Sequence, residues 1–151
     1  ITHNITDSDM GNSDSATVDP VAFPITPGSN TYEKFQRIHV TAMGGSSSIK
    51  NLQIWRTGAL GGAATHLTTA RTSSYGGAPT YATPDTTEVA AATQTMPTAD
   101  PAAANLGIGG SLTGELTATG YSDYLNHIIK TNASDTAGST STMNYQYDEI
   151  A

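Results

Sequence analysis

Tyr32-Glu33-Lys34-Phe35-Gln36-Arg37-Ile38-His39-Val40-Thr41-Ala42-Met43 is the stretch that decides the fold class. Ile38, Val40 and Ala42 fall on one side of an extended chain, and Arg37, His39 and Thr41 on the other. A repeat of two residues is the period of a strand; a helix, at about 3.6 residues per turn, would scatter those apolar positions around its axis. Gly44-Gly45-Ser46-Ser47-Ser48 follows, a small-residue run that predicts a hairpin-type loop. The next segment, Ile49 to Thr57, then reads as a second strand, with Leu52 and Ile54 toward a core and Asn51, Gln53 and Trp55 away from it.

The C-terminal third repeats the pattern. Tyr121 to Thr131 sets Leu125, His127 and Ile129 against Tyr124, Asn126 and Ile128. After a polar loop from Asn132 to Ser141, Met143, Tyr145 and Tyr147 alternate with Asn144, Gln146 and Asp148. These two segments predict an antiparallel hairpin with a long tip. Between the two ends, Gly58 to Ala64 reads as a loop, His66 to Thr72 as a short strand, and Ser111 to Thr119 as a segment carrying Leu112 and Leu116. Residues 73–105 hold Pro79, Pro84, Pro97 and Pro101 and predict long surface excursions, with Glu88 to Thr93 a short helical turn or an edge strand. Residues 1–20 are polar, with Asp7, Asp9, Asp14 and Asp19, and predict an extended arm that orders against something else. The expected organisation is therefore an N-terminal arm over 1–20 and one domain over 21–151. That domain is expected to be all-β, a single antiparallel β-sandwich of jelly-roll or immunoglobulin-like type with long loops.

Composition narrows the function classes. The 151 residues are 36% hydrophobic and 13% charged, with a formal net charge of −7. Six Lys and Arg, scattered singly, make no basic footprint, which argues against nucleic acid and against an anionic membrane surface. No apolar run approaches the roughly 20 residues that span a bilayer. With no Cys, thiolate chemistry, disulfides and cysteine-ligated metals are excluded, and synthesis in a cytoplasm is favoured. The chain starts at Ile1 rather than Met, so processing of its N-terminus stays open.

The search for chemistry returns little. No Gly-Lys pair exists for a phosphate loop, and Gly107-Ile108-Gly109-Gly110 lacks the dinucleotide spacing and reads as a turn. No Gly-x-Ser-x-Gly elbow is present. His3, His39, His66 and His127 are too far apart in sequence for the usual metal-ligand spacing, and His39 and His127 read as surface or half-buried strand residues. Counting from Asp7, the calcium-loop pattern fails, since Asn12 stands where Gly is needed and Val18 where Glu is needed. Asp148 and Glu149 point to opposite strand faces and cannot share a bond as paired acids. Neither a cofactor nor a metal is expected, and the chain reads as a non-enzyme. Asn4-Ile5-Thr6 and Asn132-Ala133-Ser134 match the glycosylation pattern, a match common by chance in a Thr- and Ser-rich chain. The aromatic residues remain. Trp55, Tyr75 and Tyr81 are the candidates for a protein interface or a sugar-stacking platform, alongside Tyr121, Tyr124, Tyr145 and Tyr147, with core packing as the competing use.

Several phrases resemble small virion proteins of tailed bacteriophages, the kind that decorate or cement a capsid. They are Tyr32-Glu33-Lys34-Phe35-Gln36-Arg37-Ile38-His39-Val40-Thr41 with Asn51-Leu52-Gln53-Ile54-Trp55; Asn105-Leu106-Gly107-Ile108-Gly109-Gly110-Ser111-Leu112 with Gly120-Tyr121-Ser122-Asp123-Tyr124; and the closing Tyr145-Gln146-Tyr147-Asp148-Glu149. The resemblance implies a β-sandwich bound in many copies, or as a homo-oligomer, to a shell of major capsid protein on the virion surface. It carries over no site residues. A tail, neck or fibre component and a carbohydrate-binding or adhesive β-sandwich are the alternatives.

Overall fold

The computed structural model describes residues 2–5, 27–28, 34–36, 38–68, 94–123, 125–136 and 141–151. Among these the fold is all-β, with no helix and only antiparallel pairings. The strands are β1 (Thr2–Ile5), β2 (Lys34–Gln36), β3 (Ile38–Ala42), β4 (Ser48–Thr57), β5 (Thr65–Thr68), β6 (Gln94–Thr95), β7 (Glu115–Leu116), β8 (Gly120–Tyr121), β9 (Leu125–Lys130) and β10 (Thr142–Ile150). They form three sheets, ordered β1-β3-β8, β10-β4-β7 and β2-β9-β5-β6.

The segment from Tyr32 to Met43 was expected to be one strand. It is two, β2 and β3, which lie in different sheets. The segment from Tyr121 is divided in the same way into β8 and β9. The two divisions coincide. Gln36 stands opposite Leu125 in one pair and His39 opposite Tyr121 in the other. β2–β3 and β8–β9 thus cross from one sheet to another side by side, a corner of the kind by which strands pass between packed sheets. Ser122 pins the corner. Its Oγ accepts from the Ile38 N–H at 2.8 Å and donates to the Asp123 carbonyl at 2.9 Å, while its own N–H donates to the Ile38 carbonyl at 2.9 Å. Ser122 and Ile38 are both buried, so these bonds replace ladder bonds that the bend removes.

β4 carries a second irregularity. Gln53 faces Gln146 and Lys50 faces Asp148, leaving Asn51 and Leu52 opposite Tyr147 alone. Asn51 takes φ of 57°, a left-handed conformation that Asn tolerates better than most residues. Its Nδ2 donates to Asp148 Oδ2 at 2.6 Å. The bulge explains why Ile49 and Leu52, three apart in sequence, are both buried, with strict alternation resuming through Ile54 and Arg56.

The apolar cluster draws Ile38 and Val40 from β3, Ile49, Leu52 and Ile54 from β4, Leu125 from β9, and Met96, Leu106 and Ile108 from the connections. Met143, Tyr145 and Tyr147 on β10 pack against it from one side. Two expected hairpins are absent. Gly44-Gly45 joins β3 to β4, but these strands lie in different sheets; β10 pairs with β4 along its length rather than with β9. β9 is instead buried on both faces, with His127, Ile128 and Ile129 all inside, and it lies between β2 and β5 in its sheet. Within the span read as an arm, Thr2–Ile5 pair with β3; residues 6–20, and the Glu88 to Thr93 segment, lie outside the described residues.

Ser122→Ala removes the acceptor of a buried N–H. It is expected to lower unfolding free energy by about 1–3 kcal/mol, read as a drop in the urea midpoint with an unchanged slope.

Candidate functional site

Three of the described carboxylates, Asp100, Asp123 and Asp135, hold loops. Asp123, buried, accepts the Gly110 N–H on both oxygens at 2.9 Å, and its own N–H donates to the Gly107 carbonyl at 2.8 Å. Gly107 has to be glycine here, since a Cβ would run into that carboxylate. Asp135 accepts the Ala63 N–H at 2.6 Å and the Asn132 N–H at 2.7 Å, and Asn132 Nδ2 donates to the Ala63 carbonyl at 3.1 Å. The amide of the Asn132 glycosylation pattern is thus used to clasp two loops together. Asp100 accepts from the Ala102 N–H at 2.8 Å, in a turn where Ala102 has φ of 59°.

The concentrated chemistry lies elsewhere, in a buried basic cluster. His66 on β5 and His127 on β9 are 4% and 2% exposed, and His66 Nε2 lies 2.8 Å from His127 Nδ1. His66 pairs in register with Ile129, and His127 with Thr68, so the two rings meet across a diagonal of the ladder. Ring centroids 5.0 Å apart with nitrogens at 2.8 Å mean that the rings meet through their edges, in an N–H···N hydrogen bond. One imidazole donates and the other accepts, which requires the accepting nitrogen to be unprotonated.

Arg56 of β4 supplies the third member. It is 8% exposed, its N–H donates to the Pro97 carbonyl, and its guanidinium donates to the Gly58 carbonyl. Arg56 Nε and His66 Nδ1 are buried without a hydrogen-bond partner. Burial first, and then the Arg56 charge, push His66 down from 6.5 to about 4. Burial and then His66 hold His127 well below its ordinary value. Both rings are therefore neutral at pH 7.

Such a cluster is poorly suited to catalysis. A general base must reach a substrate proton, and these rings face each other and the core. A cation at Arg56 also opposes a metal ion at the pair, and among the described residues no three His, Asp or Glu side chains gather to hold one.

The residues singled out in the sequence fall differently. Trp55 is half-buried on the outer face of β4, opposite Asn144 of β10. Tyr75 and Tyr81 lie outside the described residues. Tyr145 and Tyr147 pack on the core. Among the described residues the exposed aromatic is Tyr121, 42% accessible, which stacks on the half-buried His39 with centroids 4.1 Å apart and planes at 14°. His127, expected at or near the surface, is instead fully inside, because β9 is covered on both faces. Neither histidine contact has a local sequence signature: the partners of the buried pair are 61 residues apart. No known family, no characterised protein and no solved structure matches this chain.

The linkage of His66 to stability has a definite sign. Its folded-state value lies below its unfolded value, so the unfolded chain binds the proton first as pH falls. Stability is complete above pH 6.5 and is lost as pH falls from there to about 4. The loss from this group alone is on the order of 3 kcal/mol. Urea unfolding at pH 7 and pH 4 should show it, and His66→Gln, which takes up no proton, should show a shallower dependence on pH.

Proposed function

We propose that this chain is a non-enzymatic structural protein of a virus particle, a decoration or cement protein held in many copies on a shell of major capsid protein. Its sheets would pack as a β-sandwich, as the shared apolar cluster of β3, β4 and β9 favours. The observation that carries the non-enzymatic reading is the use made of the polar side chains. Asp100, Asp123, Asp135 and Asp148 tie loops and strands, and His66 and His127 bond to each other in the interior. What faces outward is largely small and neutral, on a chain of net charge −7. Such a surface works by contact over area, and multiplicity on a lattice compensates for weak single contacts. The resemblance of the strand phrases to small phage virion proteins supplies the identity of the lattice.

Sedimentation of particles from the source material, with the chain quantified by mass spectrometry, tests this. The expected result is abundant chain in the particle pellet at a fixed ratio to the main shell protein, in hundreds of copies per particle. Tens of copies or fewer would place it in a tail, neck or fibre instead. Chain found only in the soluble fraction would sink both.

One observation favours a second reading, a carbohydrate-binding or adhesive module. The Tyr121–His39 stack presents an exposed aromatic face of the kind that packs on sugar rings. A glycan ligand for this face would lose about five- to 150-fold in affinity with Tyr121→Ala, at about 1–3 kcal/mol per stacked ring by analogy with base stacking on aromatics. Glycan binding unchanged by that substitution would remove the platform as its site.

A further inference from the structure

The ten described strands are not equally secured. β4 and β10 pair over eight register positions. β5 is four residues long, pairs with β9 over four positions and with β6 over two, and lies between them. Short strands with few partners open at low free-energy cost, ahead of the global transition. The His66–His127 bond spans the β5–β9 pair, and Arg56 brings β4 up to it.

From this geometry we infer that the cluster is an acid-operated latch: protonating the histidine pair detaches β5 from β9 while the β4–β10 ladder and the apolar cluster stay closed. Two neutral imidazoles share one proton between facing nitrogens. A proton on the accepting nitrogen gives two donors pointing at each other at 2.8 Å, and the positive charge it adds lies in a buried site beside Arg56. The attraction becomes repulsion in a medium that screens it poorly. Separation of β5 from β9 relieves it by admitting water, and β5 has few other bonds to hold it.

Among the described residues, Arg56 of β4 is the charged group beside the pair, and its charge acts in the same direction. Lys130, at the end of β9, stands opposite Thr65 in register, which puts it on the other face of the ladder. Of the described carboxylates that flank β9, Asp123 before it is occupied by the Gly110 N–H and Asp135 after it by the Ala63 and Asn132 N–H groups. The acid-opened state is independent of the proposed role on a particle.

Hydrogen exchange read by mass spectrometry on the whole protein, at pH 7 and pH 4.5 with intrinsic rates corrected, tests the latch. Peptides over Thr65–Thr68 and Leu125–Lys130 are expected to lose protection by about tenfold or more, while peptides over Ser48–Thr57 and Thr142–Ile150 keep theirs. The effect should shrink in His66→Gln. Equal loss in both sets would mean global acid unfolding and would overturn the latch, as would protection retained in both. Because the wild-type chain carries the measurement, the test stands even where the variant folds poorly.

Discussion

At Ser122 two strand segments pass together from one sheet into another. A ribbon made of β2–β3 and β8–β9 has to leave one sheet and enter another, and in bending it loses ladder bonds at buried positions. The Ser122 hydroxyl replaces one of them by accepting the Ile38 N–H, and the Ser122 N–H restores another to the Ile38 carbonyl. Without both, buried polar groups would be left unpaired where the strands change sheets. With them, Ile38 and Val40 beyond the bend and Leu125 before it enter the same apolar cluster. Asp123, the next residue, carries the order outward by fixing the Gly107–Gly110 turn from within. One short polar pair thus joins two sheets and a long loop.

The sequence was informative about which segments are strands and uninformative about which strands are neighbours. Alternation in Ile38-His39-Val40 and in Met143 to Asp148 is a local property, set by which side of each strand meets the core, and it survives in the structure. Pairing is a property of segments far apart. Asn144 bonds Thr57 across 87 residues, and nothing near either residue announces the other. The glycine-rich link after β3 looks like a hairpin turn because hairpin turns and sheet-to-sheet links both need tight, small-residue connections. The Asn51 bulge was hidden for a related reason. A strict repeat of two assigns Ile49 and Leu52 to opposite faces, and only the left-handed Asn51 turns both inward.

The same limit applies to the candidate site. Trp55 was legible as outward-facing on its strand, and it is half-buried there. His39 and Tyr121 were visible as residues but not as a stack, since their contact follows from the register of β3 on β8. His127 was misplaced because β9 is buried on both faces, where alternation assigns one face to solvent. A buried histidine on an otherwise apolar strand is the one signal that could have pointed inward. Ile128 and Ile129 beside it break the alternation that a half-exposed strand would keep.

Two histidines and an arginine in an interior are costly, and apolar residues of the same size would pack there at lower expense. What they add is register. β5 is Thr65-His66-Leu67-Thr68, with a single aliphatic residue to choose its alignment. A slip of one residue against β9 would turn His66 to the opposite face and leave His127 buried without its bond. That penalty makes one alignment of a short, weakly patterned strand far better than its neighbours, which four positions of backbone pairing alone would not do. The specificity lasts only while the accepting nitrogen is unprotonated. A strand aligned by a neutral imidazole pair is aligned conditionally, and its placement is tied to pH in a way that an apolar contact would not be.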